Sequence, residues 1–152
     1  MQPISLLIAG LLCAAGLTAM PASTTAVTPA KLSIEVFFDA NSSDLNEVAR
    51  STLRREIPAI RWDRGCRNIR VAGHLDGAEA KAGKAGALDR QRAANVRDVL
   101  QKFGFLDRVI DTFAYGSDLP LVYRRDAMQR LIVSDHEPQN RRAEVHWSCR
   151  IP

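Results

Sequence analysis

The sequence predicts an α+β fold: a two-layer β-α-β-α-β-β sandwich with two helices on one face of a mixed sheet. Two apolar stripes at helical spacing carry the helices, Leu45–Val48–Ala49–Leu53–Ile57–Ile60 and Leu88–Ala93–Val96–Val99–Leu100–Phe103. Short runs rich in β-branched and aromatic residues alternate with them and read as strands. The chain ends on a further such run with no helical stripe before it, so the last strand returns antiparallel to at least one parallel neighbour, and two helices layered on one mixed sheet follow.

Each element has its own signal. "SIEVFF", Ser33 to Phe38, alternates and opens the sheet. "DANSSD" breaks it, its Asn, Ser and Asp supplying turn and N-cap groups. The first helix runs from about Leu45 until Pro58, whose ring and missing N–H stop or kink it. After "RWDRGC", "NIRVAGH" (Asn68 to His74) is the second strand. A loop over 75–86 leads to the second helix, closed by Gly104 as the residue past its end. "RVIDTFAYG" is the third strand. Residues 117–139 form a long connection with a helical turn expected at "RRDAMQRL", and "RRAEVHWSC", Arg141 to Cys149, is the last strand.

Composition narrows the function classes. The chain has 152 residues, 46% hydrophobic and 25% charged, enough for one core. Residues 1–26 carry no charged side chain and hold the apolar run "ISLLIAGLLCAAGL" followed by small residues. They read as a signal peptide for export, with cleavage after Ala22 or Ala26, and the run is too short for a comfortable membrane span. Residues 27–152 are then the exported, folded domain. The formal charge of +4 is spread without a Lys/Arg-rich block, so nucleic acid is not an expected partner. Of three cysteines, Cys66 and Cys149 follow the leader. In an exported chain an even pair suggests a disulfide, with buried free thiols as the alternative. If the last strand lies antiparallel beside the second, Cys149 comes close to Cys66.

The chemistry concentrates in "GHLDGAEAKAGKAGALDRQRAANV", Gly73 to Val96. Asp76 stands past the end of a strand and Arg92 near the start of a helix. They form either an internal ion pair that pins the loop or a two-point clamp for a zwitterion, with an ammonium on Asp76 and a carboxylate on the Arg92 fork. Asp39 and Asn41 from the first strand end, and Asn140 and Arg141 from the last strand start, fall at the same edge of the sheet. His74 and Asp76 share a strand face, but no local third group completes a metal site with His136 or His146; neither metal nor cofactor is expected. No Ser or Cys has an adjacent base motif, and no carboxylate pair is placed for acid–base work, so an enzyme is not expected.

These residues resemble a known family. "VFFDANSSDL", "RVAGHLDG", "LDRQRAANVRDVL", "YGSDLPL" and "NRRAEV" are similar, in order, to five segments of the OmpA-like peptidoglycan-binding domain shared by OmpA C-terminal regions, Pal lipoproteins and MotB. The second matches a strand ending in Gly-His-Thr-Asp-x-x-Gly, and the likeness covers about residues 33–148. It implies non-covalent binding of peptidoglycan in the cell envelope through the diaminopimelate of the stem peptide. Asp76 would take the ammonium, Arg92 the carboxylate and Asn41 a further hydrogen bond. Asp39, Asn140 and Arg141 would form the rim, and outer-membrane or envelope proteins would be further partners. The family's Thr is Leu75 here, its loop Asn falls on Ala85, and its Ser is Asp89. The alternative is a degenerate module that keeps the fold, has lost the ligand and serves as a periplasmic protein–protein interaction domain.

Overall fold

The computed structural model describes residues 33–60 and 66–149. The expected leader (1–26) and Trp62 lie outside them. Four strands form the main sheet: β1 (Ser33–Phe37), β2 (Cys66–His74), β3 (Ile110–Gly116) and β6 (Arg142–Cys149), in the order β1-β6-β2-β3. β6 runs antiparallel to both β1 and β2, while β2 and β3 are parallel. This is the mixed sheet the sequence predicts, and it places the last strand beside the second, the arrangement that sets Cys149 opposite Cys66.

Alternation decides the faces. Ile34 and Val36 of β1, Ala143, Val145 and Trp147 of β6, and Ile69 and Val71 of β2 are buried on the helix side. Cross-strand register lines up Ile34, Val145 and Val71 in one row, and Val36, Ala143 and Gly73 in the next. Ala49, Leu53 and Ile57 from the first helical segment, and Ala93, Val96 and Leu100 from the second, complete one contiguous core. Helix α1 (Glu47–Glu56) begins at Asn46, whose side-chain oxygen accepts from the Ala49 amide at 2.9 Å. The N-cap thus lies just beyond the expected "DANSSD" turn, because Asn46 is the residue directly before the first helical turn and its amide oxygen reaches the Ala49 N–H. Ile57–Ala59, with Pro58 inside, tightens into a 3₁₀ turn.

The loop expected over 75–86 contains a short helix, α2 (Gly77–Lys81). Asp76 is its N-cap and Glu79 completes a reciprocal capping box. Helix α3 (Leu88–Lys102) crosses the sheet and ends before Gly104, whose φ of +93° is the left-handed close that glycine permits. The helical turn expected at "RRDAMQRL" does not form. Instead β4 (Tyr123–Arg125) and β5 (Leu131–Val133) make a two-stranded hairpin. Asp126 is the reason: its Oδ1 accepts from the Met128 and Arg130 amides, both at 2.9 Å, which fixes a tight turn between two β-prone triplets. Among the described residues, no helix is long and apolar enough to cross a membrane.

Candidate functional site

β2 delivers the chain to the site. Gly73 packs where α3 passes so closely that a Cβ would lie 1.8 Å from the Asp89 carbonyl oxygen. That approach brings the start of α3 over the end of β2 and sets Arg92 against the strand. Leu75 is fully buried and its amide donates to the Gly116 carbonyl at 2.8 Å. Asp89 does not cap α3; its Oδ2 accepts from the Gly116 amide at 2.9 Å and ties the helix to the end of β3.

Asp76 and Arg92 come together at this edge, but not in contact with each other. Asp76, 2% exposed, accepts from the Glu79 amide at 2.8 Å on Oδ1 and from Arg141 Nη1 at 2.9 Å on Oδ2. Arg92, 0% exposed, forms a fork with Glu79: Nη1 to Oε2 at 2.8 Å and Nη2 to Oε1 at 2.7 Å. Its other donors go to backbone carbonyls: Nε to Ser42 at 2.9 Å, Nη1 to His74 at 2.8 Å and Nη2 to Asp39 at 3.4 Å. A guanidinium has five N–H donors, and all five have acceptors within the chain. The ring of Phe38 lies beneath it, 5.2 Å from the guanidinium carbon.

Glu79 is therefore the hub. It joins the two expected clamp residues, giving its amide to Asp76 and its carboxylate to Arg92, and Oε1 also accepts from the Asn41 amide at 2.7 Å. Burial pushes its carboxyl up, but the Arg92 fork and the Asn41 and Asp76 amides outweigh that and hold it below the ordinary glutamate range. Asp76, Glu79, Arg92 and Arg141 form a four-charge network that sums to zero. Burial without water is tolerable only because each charge has a partner and a hydrogen bond.

The remaining predicted residues divide. Asn41, in the left-handed region at φ 59°, is exposed, and its side-chain oxygen accepts from Lys84 Nζ at 2.7 Å. Asp39 is exposed at the same rim. Arg141 lies over Asp76 and also reaches the Phe38 carbonyl at 3.3 Å. Asn140 is fully buried. Its Oδ1 accepts from the Leu121 and Val122 amides at 2.8 and 3.0 Å, and its Nδ2 donates to the Val122 carbonyl at 2.9 Å, so it staples the connection rather than facing outward. Glu79 was the residue missed. Two signals marked it: an Asp followed three residues later by Glu is the capping-box spacing, and Glu79 falls where the Gly-His-Thr-Asp-x-x-Gly pattern ends in glycine.

Cys66 and Cys149 are register partners in the β2–β6 ladder. Antiparallel partners stand about 4.5–5.5 Å apart at Cα, inside the span a disulfide bridges. Among the described residues no group of three or more His, Cys, Asp or Glu side chains is placed to hold a metal ion.

Comparison with known proteins agrees with this architecture. Residues 37–131 match the sequence model of the OmpA family. The peptidoglycan-associated lipoprotein of Burkholderia pseudomallei is similar in structure, with 22% identity and a TM-score of 0.59 over 76% of this chain and 90% of that one. The OmpA-like domain of FopA1 from Francisella tularensis subsp. tularensis SCHU S4 aligns with 17% identity and a TM-score of 0.61 over 78% and 75%. The cell wall anchor of the T6SS from Pseudomonas aeruginosa aligns with 20% identity and a TM-score of 0.57 over 78% and 81%. No curated protein matches the chain in sequence.

Proposed function

Because the chain belongs to the OmpA family, we propose that it binds peptidoglycan non-covalently in the periplasm, reading the diaminopimelate of the stem peptide at the Asp76–Arg92 edge. The names of two structural neighbours, a peptidoglycan-associated lipoprotein and a cell wall anchor, support the ligand class. The observation that carries the reading is the pairing at the edge itself. Asp76 holds a cation, Arg141, and Arg92 holds a carboxylate, Glu79, side by side at one sheet end. A carbon bearing both ammonium and carboxylate matches that pair of opposite charges. It would enter by exchange, its ammonium replacing Arg141 on Asp76 and its carboxylate replacing Glu79 on Arg92, so that Asp76 and Arg92 stay matched while the released Arg141 and Glu79, opposite in charge, pair with each other or turn to water. Asn41 and Lys84 at the exposed rim would meet the rest of the stem peptide. Export by residues 1–26 belongs to the same reading. Retention of the protein on isolated sacculi tests it, and loss of retention in Asp76→Ala supports this edge as the contact.

A second reading has its own observations. Every donor of Arg92 is spent within the chain. In addition, Phe113, Tyr115, Leu121 and Tyr123 on β3 and the following connection are exposed, with the Phe113 and Tyr115 rings stacked at 6.1 Å. Exposed aromatic side chains of this kind suit a protein partner. An interaction module of the envelope would keep the fold, show no retention on sacculi and lose its partner on substitution of those aromatics.

A further inference from the structure

We propose that Glu79 is a resident ligand of the site: the Arg92 guanidinium is a carboxylate receptor that the chain fills with its own side chain, and an outside carboxylate binds only as Glu79 leaves. The proposal rests on the peptidoglycan reading for the identity of the outside ligand, but the occupied receptor is a matter of geometry.

Three features make the Glu79 carboxylate a guest rather than an ordinary surface ion pair. The contact is a fork of two near-equal bonds, 2.8 and 2.7 Å, which is how a guanidinium takes a free carboxylate. Both partners are buried, 0% and 2% exposed at the side chain, so the receptor is dry and preorganised. The receptor is also built without Glu79: the Asp39 and Ser42 carbonyls of the turn after β1 and the His74 carbonyl at the end of β2 hold Arg92, and Phe38 supports its face. Removing the glutamate side chain would leave a fixed fork with two donors aimed at an empty place.

Glu79 is also held in place. Its amide caps onto Asp76, and its Oε1 takes the Asn41 amide at 2.7 Å. The closed arrangement is thus the ground state, and the apparent affinity for an outside carboxylate is the intrinsic affinity scaled by the small fraction of molecules with Glu79 displaced. Asp76 is covered by Arg141 in the same way, so the two charges of an incoming zwitterion meet two internal competitors. A ligand with only an ammonium has no charge to exchange for Glu79, and gains nothing from its departure.

The test is calorimetry of the full chain with meso-diaminopimelate, comparing the native protein with Glu79→Gly and Glu79→Gln, and sacculus retention measured in parallel. Glu79→Gly should bind at least about tenfold more tightly than the native chain, with Glu79→Gln, which keeps one acceptor and the shape, in between. Glu79→Gly should also melt at a higher temperature in acetate than in chloride of equal ionic strength, since acetate fills the vacated fork, whereas the native chain should show no such difference. If Glu79→Gly does not fold, the Gln variant decides. Variants that bind no better than the native chain while the native chain is retained on sacculi would overturn the proposal and leave the peptidoglycan reading intact. Tight binding by the variants with no retention of the native protein would sustain the proposal and end that reading for the native chain. No binding by any of them would overturn both.

Discussion

Arg92 shows how far one side chain can commit a site. Among the described residues it is the largest fully buried side chain, and Glu79 alone matches its charge at the side-chain level. Arg92→Ala would leave the Glu79 carboxylate buried with no cation, and such a loss costs about 3–5 kcal/mol. A large drop in urea midpoint is therefore expected, more than a surface ion pair would give. His74 carries a second prediction at this scale. Its ring is 1% exposed and neither nitrogen has a hydrogen-bond partner. Burial, reinforced by Arg142 and opposed by Glu144 and Asp89, holds the imidazole down to about 4, against 6.5 for a free ring. Between those values the unfolded chain binds the proton and the folded chain does not. The folded state is thus at full strength above pH 6.5 and weakens as pH falls towards 4, by up to about 3 kcal/mol from this group. Urea midpoints at pH 7, 5.5 and 4 should fall accordingly, and His74→Leu should flatten that part of the profile. Part of the site was legible in the sequence because Asp76 and Arg92 stand at element ends, where polar groups gather. The link between them was not, because helix α2 turns Glu79 inward and only three-dimensional packing reveals that a charged side chain lies under the rim. Asn140 escaped for the same reason: an asparagine beside a strand start reads as exposed until the connection it staples is seen.

At the level of elements, the approach of α3 to β2 is what builds the site, and Gly73 permits it. Gly73→Ala would drive a methyl into the Asp89 carbonyl, a backbone atom that cannot step aside. The cost should reach the upper end of the about 1–3 kcal/mol typical of overpacking, with α3 displaced and sacculus retention reduced in step. Thermal melts and retention on the same preparation check it. Strands and long helices were readable because alternation and helical spacing are strong signals over many residues. The antiparallel return of the last strand followed from the element order, but its place between β1 and β2 is set by the register of the sheet. The short elements were not readable. α2 has five residues and no stripe, so its signal was only the Asp76–Glu79 capping pair. The β4–β5 hairpin hid in a charged stretch whose spacing imitates a helical turn, and the Asp126 side chain bonds that decide against a helix are local and polar.

For the whole molecule, two long-range ties bear on the account. Register sets Cys66 opposite Cys149 across the ends of β2 and β6. A disulfide there would join positions far apart in sequence, and its loss should cost about 2–4 kcal/mol. Protein recovered from the periplasmic fraction should show no free thiol at Cys66 or Cys149 when denatured without reductant; free thiols at both would remove the bridge. The second tie is the neutral four-charge network that locks β1, β2, α2, α3 and β6 at one edge, the edge through which the domain is proposed to hold the cell wall. Its test is co-sedimentation of the full chain with purified sacculi of two kinds, one with diaminopimelate and one with lysine at the third position of the stem peptide. Lysine ends in an ammonium alone and leaves Arg92 on Glu79, so its binding lacks the carboxylate contact and should be weaker by roughly 1.5–3 kcal/mol, the range of a hydrogen bond to a charged group. Retention on diaminopimelate sacculi, with clearly weaker retention on lysine sacculi and loss in Asp76→Ala, is the predicted result; equal retention on both, or none on either, would contradict it.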